Sequence, residues 1–206
     1  MGKLAPTGTG ALNPALGTDG RELWRREYAS QTHRIHMRNT YGSSTPAVDA
    51  ERVYVAWSTP ARLTLLALDH DGRDVWDLDL GPVVSEHGFG TSPMLHQDMV
   101  ILSNSQQAEE LEPGQLPGKS AMLAFEAKTG KLRWSQPRVS SRVCFSTPCI
   151  YQPGGGPPEL ICTSTSDGIF SLDPLTGQEN WKSPGTLTMR VVNSPFVADG
   201  LIIGSV

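Results

Sequence analysis

Apolar residues along this chain come in short runs, each bounded by glycine, proline, serine or aspartate: AVDAERVYVAW, LTLLALD, MLHQDMVIL, AMLAFEA, GIFSLDP and FVADGLIIGSV. Runs of this length, fenced by turn formers, predict many short strands joined by tight turns. The 21 glycines and 16 prolines are scattered rather than clustered, which fits turns throughout the chain. No stretch approaches the length of a helical membrane span.

The strands belong to a repeat. Four segments share the spacing Gly-x-x-x-Trp: Gly20 to Trp24, Gly72 to Trp76, Gly130 to Trp134 and Gly177 to Trp181. They take in four of the five tryptophans. Ser/Thr-Pro pairs interleave with them, at Thr45-Pro46, Ser92-Pro93, Thr147-Pro148 and Ser194-Pro195. The tryptophans are 52, 58 and 47 residues apart and the prolines 47, 55 and 47, so every unit keeps one internal order. One unit reads as a four-stranded meander. The Ser/Thr-Pro opens strand A, where proline costs no ladder hydrogen bond. A short turn leads to strand B, strand C follows, and an Asp-Gly or Thr-Gly turn gives strand D with its tryptophan.

Four strands in about 50 residues is the size of a β-propeller blade, so the fold class predicted is all-β, a propeller of four-stranded antiparallel blades. Three full blades are expected near 45–78, 92–136 and 147–183, within one propeller over 1–206. GTDGRELWRRE reads as an isolated strand D, and NSPFVADGLIIGSV as strands A and B of a further blade. Residues 1–17 are expected to be poorly ordered. A β-sandwich is the alternative architecture, but it gives no reason for one spacing to recur four times. The tryptophans read as structural, each a large ring wedged between neighbouring blades.

The fragment Ala124 to Trp134 resembles the tryptophan-docking motif of pyrroloquinoline-quinone (PQQ) type propellers, Ala-x-Asp-x-x-Thr-Gly-x-x-x-Trp, with Glu126 in place of the aspartate. Thr129, Gly130 and Trp134 match. Ser171 to Trp181 keeps Asp173, Thr176, Gly177 and Trp181, and Ala67, Asp69, Gly72 and Trp76 form a version one residue shorter. Gly20 and Trp24 are the remnant in the first unit. The resemblance implies a ring of six to eight blades, of which this chain would be a part. A four-bladed ring would need residues 1–16 to act as strand C, and their glycine and proline content weighs against that. The resemblance is specific for fold but not for function, because the repeat serves quinoprotein dehydrogenases, BamB-like assembly lipoproteins and other binding proteins.

A net charge of −4 gives no pull toward nucleic acid or anionic lipid, and no membrane insertion is expected. The N-terminus has no apolar signal segment, so either the protein is cytoplasmic or an exported parent has lost its start, and the family resemblance implies a periplasmic or exported parent. Cys144, Cys149 and Cys162 fit neither a metal motif nor a disulfide framework. Cys149 and Cys162 are equidistant from a turn near residue 155 and are expected to face each other as two thiols.

In such a meander the D-to-A and B-to-C connections share one face, and here those links are long and variable, including the loop at 104–119. Variable loops on a rigid scaffold carry function. Just before the innermost strands stand His36, Arg38, Glu86, His87, Arg142 and Arg190. They predict a polar, partly cationic channel mouth suited to an anionic ligand or a peptide carboxylate, or else a set of solvated loop residues.

A PQQ-dependent dehydrogenase would need a calcium ion held by several oxygen ligands. Of the carboxylates outside the turns only Glu86 lies near the mouth, and no adjacent cysteines occur. Phosphate-loop, His-Glu-x-x-His and Gly-x-Ser-x-Gly signatures are absent as well. No catalytic residue, metal or cofactor is therefore expected, and PQQ with calcium only if the chain belongs to a larger oxidoreductase whose remaining blades carry the chemistry. The expected partner is a protein or peptide bound through the loop face or an exposed strand edge, with self-association through open edges a further outcome.

Overall fold

A computed structural model describes residues 10–30, 33, 36, 37 and 41–206. Strands β1 (Gly10–Leu16) and β2 (Glu22–Ala29) form an antiparallel pair. Three four-stranded meanders follow. The first holds β3 (Ala47–Val48), β4 (Arg52–Thr59), β5 (Arg62–Asp69) and β6 (Asp74–Asp79). The second holds β7 (Met94–His96), β8 (Met99–Asn104), β9 (Ser120–Glu126) and β10 (Leu132–Arg138). The third holds β11 (Cys149–Tyr151), β12 (Glu159–Ser164), β13 (Gly168–Leu172) and β14 (Glu179–Ser183). A last pair is β15 (Phe196–Ala198) with β16 (Leu201–Ile203). We refer to the three meanders as blades 1 to 3.

The core lies between blades. Because side chains alternate across a sheet, each strand B or C feeds two interfaces. Val100 and Leu102 of β8 pack with Tyr54, Leu65 and Ala67 of blade 1. Met99 and Ile101 of the same strand pack with Leu160, Cys162, Phe170 and Leu172 of blade 3. On the far side of blade 1, Val55, Leu66 and Leu68 meet Trp24 and Tyr28 of β2. Strands buried on both faces read as continuous apolar runs, which explains LTLLALD and MVIL, whereas the outer strand β6 alternates half-buried with exposed residues.

The tryptophan docking is directional. Each ring on a strand D lies over the glycine in the C-to-D turn of the next blade. A Cβ added at Gly72 would fall 2.6 Å from the ring of Trp24, one at Gly130 2.9 Å from Trp76, and one at Gly177 2.5 Å from Trp134. Each indole Nε1 also donates to a backbone carbonyl of that turn: Trp24 to His70 at 2.7 Å, Trp76 to Ala127 at 3.0 Å and Trp134 to Pro174 at 3.0 Å. The acidic position of the motif shapes the turn. Asp69 Oδ1 accepts from the backbone N–H groups of Asp71 and Arg73, and Asp173 Oδ1 from those of Leu175 and Thr176. Glu126, one carbon longer, accepts instead from the Thr129 hydroxyl at 2.6 Å, and that hydroxyl accepts from Lys131 N–H. Thr176 Oγ1 plays the same part toward Gln178 N–H.

Every C–D pair carries a register shift immediately before its tryptophan. Ala15 faces Trp24 while Leu16 faces Glu22, and the same slip occurs in all three blades. The extra residue is Leu23, Val75, Arg133 or Asn180, and such a bulge bends the strand and re-aims the side chain that follows it.

Three expectations are corrected. Residues Gly10–Leu16 are not without order: they form β1, with Pro14 opposite Arg25, on a strand with only one paired edge, where proline is tolerated. Trp181 is not buried between blades but stands 37% exposed, because no C-to-D turn lies beyond it among the described residues; its Nε1 donates to Glu159 of its own blade at 2.9 Å. Cys149 faces Ile161, and Cys162 faces Phe170, so the glycine-rich turn shifts the expected pairing by one residue. All three cysteines are free, and burial pushes the Cys149 and Cys162 thiols upward.

Candidate functional site: the loop-face cleft

The D-to-A links and B-to-C loops meet on one face and are stitched together through their backbones. His36 N–H donates to Glu86 O at 2.7 Å, Gln107 N–H to Val84 O at 2.9 Å, Glu109 N–H to Ser141 O at 3.1 Å, and Phe145 N–H to Val191 O at 2.8 Å. Gln106 clamps two of these segments: its Oε1 accepts from Val84 N–H and its Nε2 donates to Pro82 O. The serines of the Ser-Pro pairs tie neighbouring blades at the inner strands, Ser92 Oγ accepting from Thr45 N–H at 2.8 Å and Ser194 Oγ from Thr147 N–H at 3.0 Å.

These segments enclose an open cleft of about 800 Å³ whose walls include His33, His36, Glu86, Gln107, Glu110 and Glu112. Of the residues expected at the channel mouth, His36, Glu86, His87 and Arg190 come together. The His36 and His87 rings have centroids 4.8 Å apart, His87 Nε2 lies 2.9 Å from Glu86 Oε1, and Arg190 Nη2 lies 3.4 Å from the same oxygen. Arg142 is elsewhere on the face, paired with Glu110. Arg38 lies outside the described residues. Burial pushes the His87 imidazole below its ordinary value and Arg190 adds to the shift, while Glu86 opposes it.

Among the described residues the cations expected at the rim are paired rather than free for an anionic ligand. Both described arginines are engaged by carboxylates, and three glutamates line the cleft. The arginines are partnered across 104 and 32 residues of sequence, which no local pattern displays. The buried Gln107 adds a second feature that local pattern does not reveal. Its Nε2 donates to Glu110 O at 3.1 Å, which fixes the amide, while its Oε1 is buried without a hydrogen-bond partner. Such a group costs free energy until a donor reaches it.

A buried ion cluster between blades 2 and 3 also went unread in the sequence. Arg138 lies 2.8 Å from Asp167 and 2.7 Å from Glu179, with its guanidinium 4.1 Å over the ring of Phe170. Asp167 is therefore more than a turn former, although its N–H does close the turn by donating to Ser164 Oγ.

Among the described residues no three His, Cys, Asp or Glu side chains converge, and Glu86 and Glu110 are each paired with a cation.

The family model described as outer membrane protein assembly factor BamB matches residues 9–199. No curated protein sequence matches the chain. Among solved structures it is similar to a europium-containing methanol dehydrogenase, at 18% identity and TM-score 0.63, covering 89% of this chain and 41% of that one. It is similar to a quinohaemoprotein alcohol dehydrogenase from Pseudomonas putida at 17% identity and TM-score 0.56, covering 96% and 36%. BamB from Moraxella catarrhalis aligns at 18% identity and TM-score 0.49, covering 81% and 44%. The chain therefore spans about two-fifths of the length of these proteins, and its likeness to the two dehydrogenases is one of fold. With a family match over nearly its whole length and four-stranded blades joined by docked tryptophans, the chain belongs to the BamB-type PQQ-repeat family of β-propellers.

Proposed function

We propose that this propeller is a non-catalytic scaffold that binds a protein partner, taking an extended peptide segment with lysine or arginine side chains into the loop-face cleft. The observation that carries the reading is the fixed, buried and unpartnered Gln107 Oε1 in a wall shared with Glu86, Glu110 and Glu112. An acceptor of this kind beside carboxylates favours a ligand rich in N–H donors and positive charge. A cleft of about 800 Å³ that is not enclosed has room for a chain segment.

Fluorescence polarisation with a labelled Gly-Ser peptide carrying three lysines tests this, against the same peptide carrying three glutamates. The lysine peptide is expected to bind and to weaken as salt rises. Glu112→Gln and Gln107→Leu should each weaken it several-fold. Preference for the glutamate peptide overturns the reading. So does a rise of several degrees in melting temperature with PQQ and calcium, which would favour a part of an oxidoreductase instead.

A further inference from the structure

We propose that each seam between neighbouring units carries its own matched pair of residues, and that this pair fixes the order in which the blades stack. One member stands four places after the docked tryptophan, the other two places after the glycine that the ring covers. The inference goes beyond the cleft and does not depend on it. Tryptophan docking alone cannot set the order. In all three seams that hold a docked ring the parts are the same: an indole, a turn glycine and a turn carbonyl. A blade stacked one place too far along the chain would find an equivalent seat, and such misassembly is a characteristic failure of repeat proteins.

The matched pair supplies the missing distinction. Four residues after Trp24, Trp76 and Trp134 stand Tyr28, Leu80 and Arg138. Two residues after Gly72, Gly130 and Gly177 stand Asp74, Leu132 and Glu179. In two of the seams these positions touch: Tyr28 Oη donates to Asp74 Oδ1 at 2.5 Å, and Arg138 Nη1 donates to Glu179 Oε2 at 2.7 Å. By the same offset the pair between blades 1 and 2 is Leu80 with Leu132, and Leu80 packs on the apolar cluster of that seam. The three pairs are thus a phenol with a carboxylate, two aliphatic side chains, and a guanidinium with a carboxylate. Neighbouring seams are unlike.

Skipping a blade therefore breaks a pair. With β2 stacked on blade 2, Tyr28 meets Leu132 and its hydroxyl loses the Asp74 acceptor. With blade 1 stacked on blade 3, Leu80 meets Glu179, and Asp167, whose side chain is 10% exposed, loses Arg138. Leaving a buried charge without its partner is strongly unfavourable. The cost of the native cluster points the same way. A buried ion pair is weak evidence for stability, because an apolar pair of similar size serves as well, and the seam one blade earlier holds with Leu80 at the equivalent place. What the charges add is discrimination between seats, a device by which a sequence excludes alternative arrangements of itself.

Moving the pair tests its geometry, and erasing it tests its role. Leu80→Arg should lower the melting temperature by several degrees, and Leu132→Glu, at a half-exposed site, should change it little. The two together should recover about half of the loss or more. Where Leu80→Arg yields no folded protein, Leu80→Tyr with and without Leu132→Asp repeats the test with the pair of the first seam. In Arg138→Leu/Glu179→Leu/Asp167→Asn the third seam copies the second. Its melting temperature should stay within a few degrees of the parent's. The share of chains that regain the parent's hydrogen-exchange pattern on dilution from urea should fall about twofold or more, the remainder being misordered or aggregated. No recovery from either transplanted pair, a triple variant that refolds as fully as the parent, or one that loses most of its thermal stability overturns the proposal.

Discussion

The indole of Trp134 lies against Gly177 of the following blade, with its Nε1 on the carbonyl of Pro174 three residues earlier. The ring is 8% exposed and joins the cluster that holds blades 2 and 3 together. Trp134→Ala is therefore expected to cost about 3–5 kcal/mol, as aromatic-to-alanine changes in cores do. Val139→Ala, on the exposed end of the same blade, should stay within about 0.5 kcal/mol. Urea denaturation of the two variants measures the difference, and equal midpoints would remove the docking role.

The other half of the contact makes a separate prediction. Gly177 has φ +74° and faces the ring, whereas Gly185 has φ +78° and open space. Alanine at Gly185 should cost only the left-handed strain, about 1–2 kcal/mol. Alanine at Gly177 should cost about 1–3 kcal/mol more, because the ring must move. Thermal unfolding of both variants would expose the excess, and its absence would mean that the ring yields freely.

Arg138 is buried between Asp167 and Glu179, and removing it leaves the largely buried Asp167 with only the more distant Lys182, 3.9 Å away, as a cationic partner. Arg138→Met should cost about 3–5 kcal/mol, and adding Asp167→Asn should recover part of the loss, since partners in one network are not additive. The hydrogen bond from Arg138 holds the Glu179 carboxyl below its ordinary value of 4.5, and Lys182 assists through its charge. A depressed carboxylate contributes stability that is present above about pH 4.5 and is lost as pH falls through the folded-state value. Chemical denaturation between pH 6 and pH 3 should thus fall less steeply in Arg138→Met than in the parent.

His87 titrates in the same sense for a different reason. Burial lowers its affinity for a proton and Arg190 lowers it further. The folded state binds the proton less well than the unfolded chain, so this contribution is present above about pH 6.5 and is lost as pH falls through the lower folded value. In His87→Gln the drop in melting temperature on acidification from pH 7 to pH 5 should shrink. An unchanged drop would place the titration elsewhere.

The blade architecture was legible because docking imposes a spacing: a glycine where no Cβ fits, then a tryptophan four residues on. Strand β1 was not, because Pro14 and the glycines that flank it in sequence are read as turn formers unless one knows that only one edge is paired. The candidate site was legible as a face but not as a charge. His36, Glu86, His87 and Arg190 meet through backbone stitching that the loop lengths foretell, whereas the pairing of Arg142 with Glu110 and the isolation of Gln107 Oε1 depend on how distant segments pack. Arg138 has the same obscurity: nothing around it in sequence separates it from a solvated charge at the end of a strand.

The docking contacts all run one way along the chain, each ring reaching forward and none backward. In an array built like this the two sides of each blade differ energetically, as the two edges of an overlapping roof tile differ. Lifting the front unit uncovers a turn that has lost its cover but keeps its own hydrogen bonds. Lifting the rear unit strips a preceding indole of both its seat and its acceptor. Cooperativity between neighbours in such a one-dimensional array is therefore asymmetric: damage at the turn of blade 3 travels back to blade 2 through Trp134, and the same damage at blade 1 travels back to β2 through Trp24.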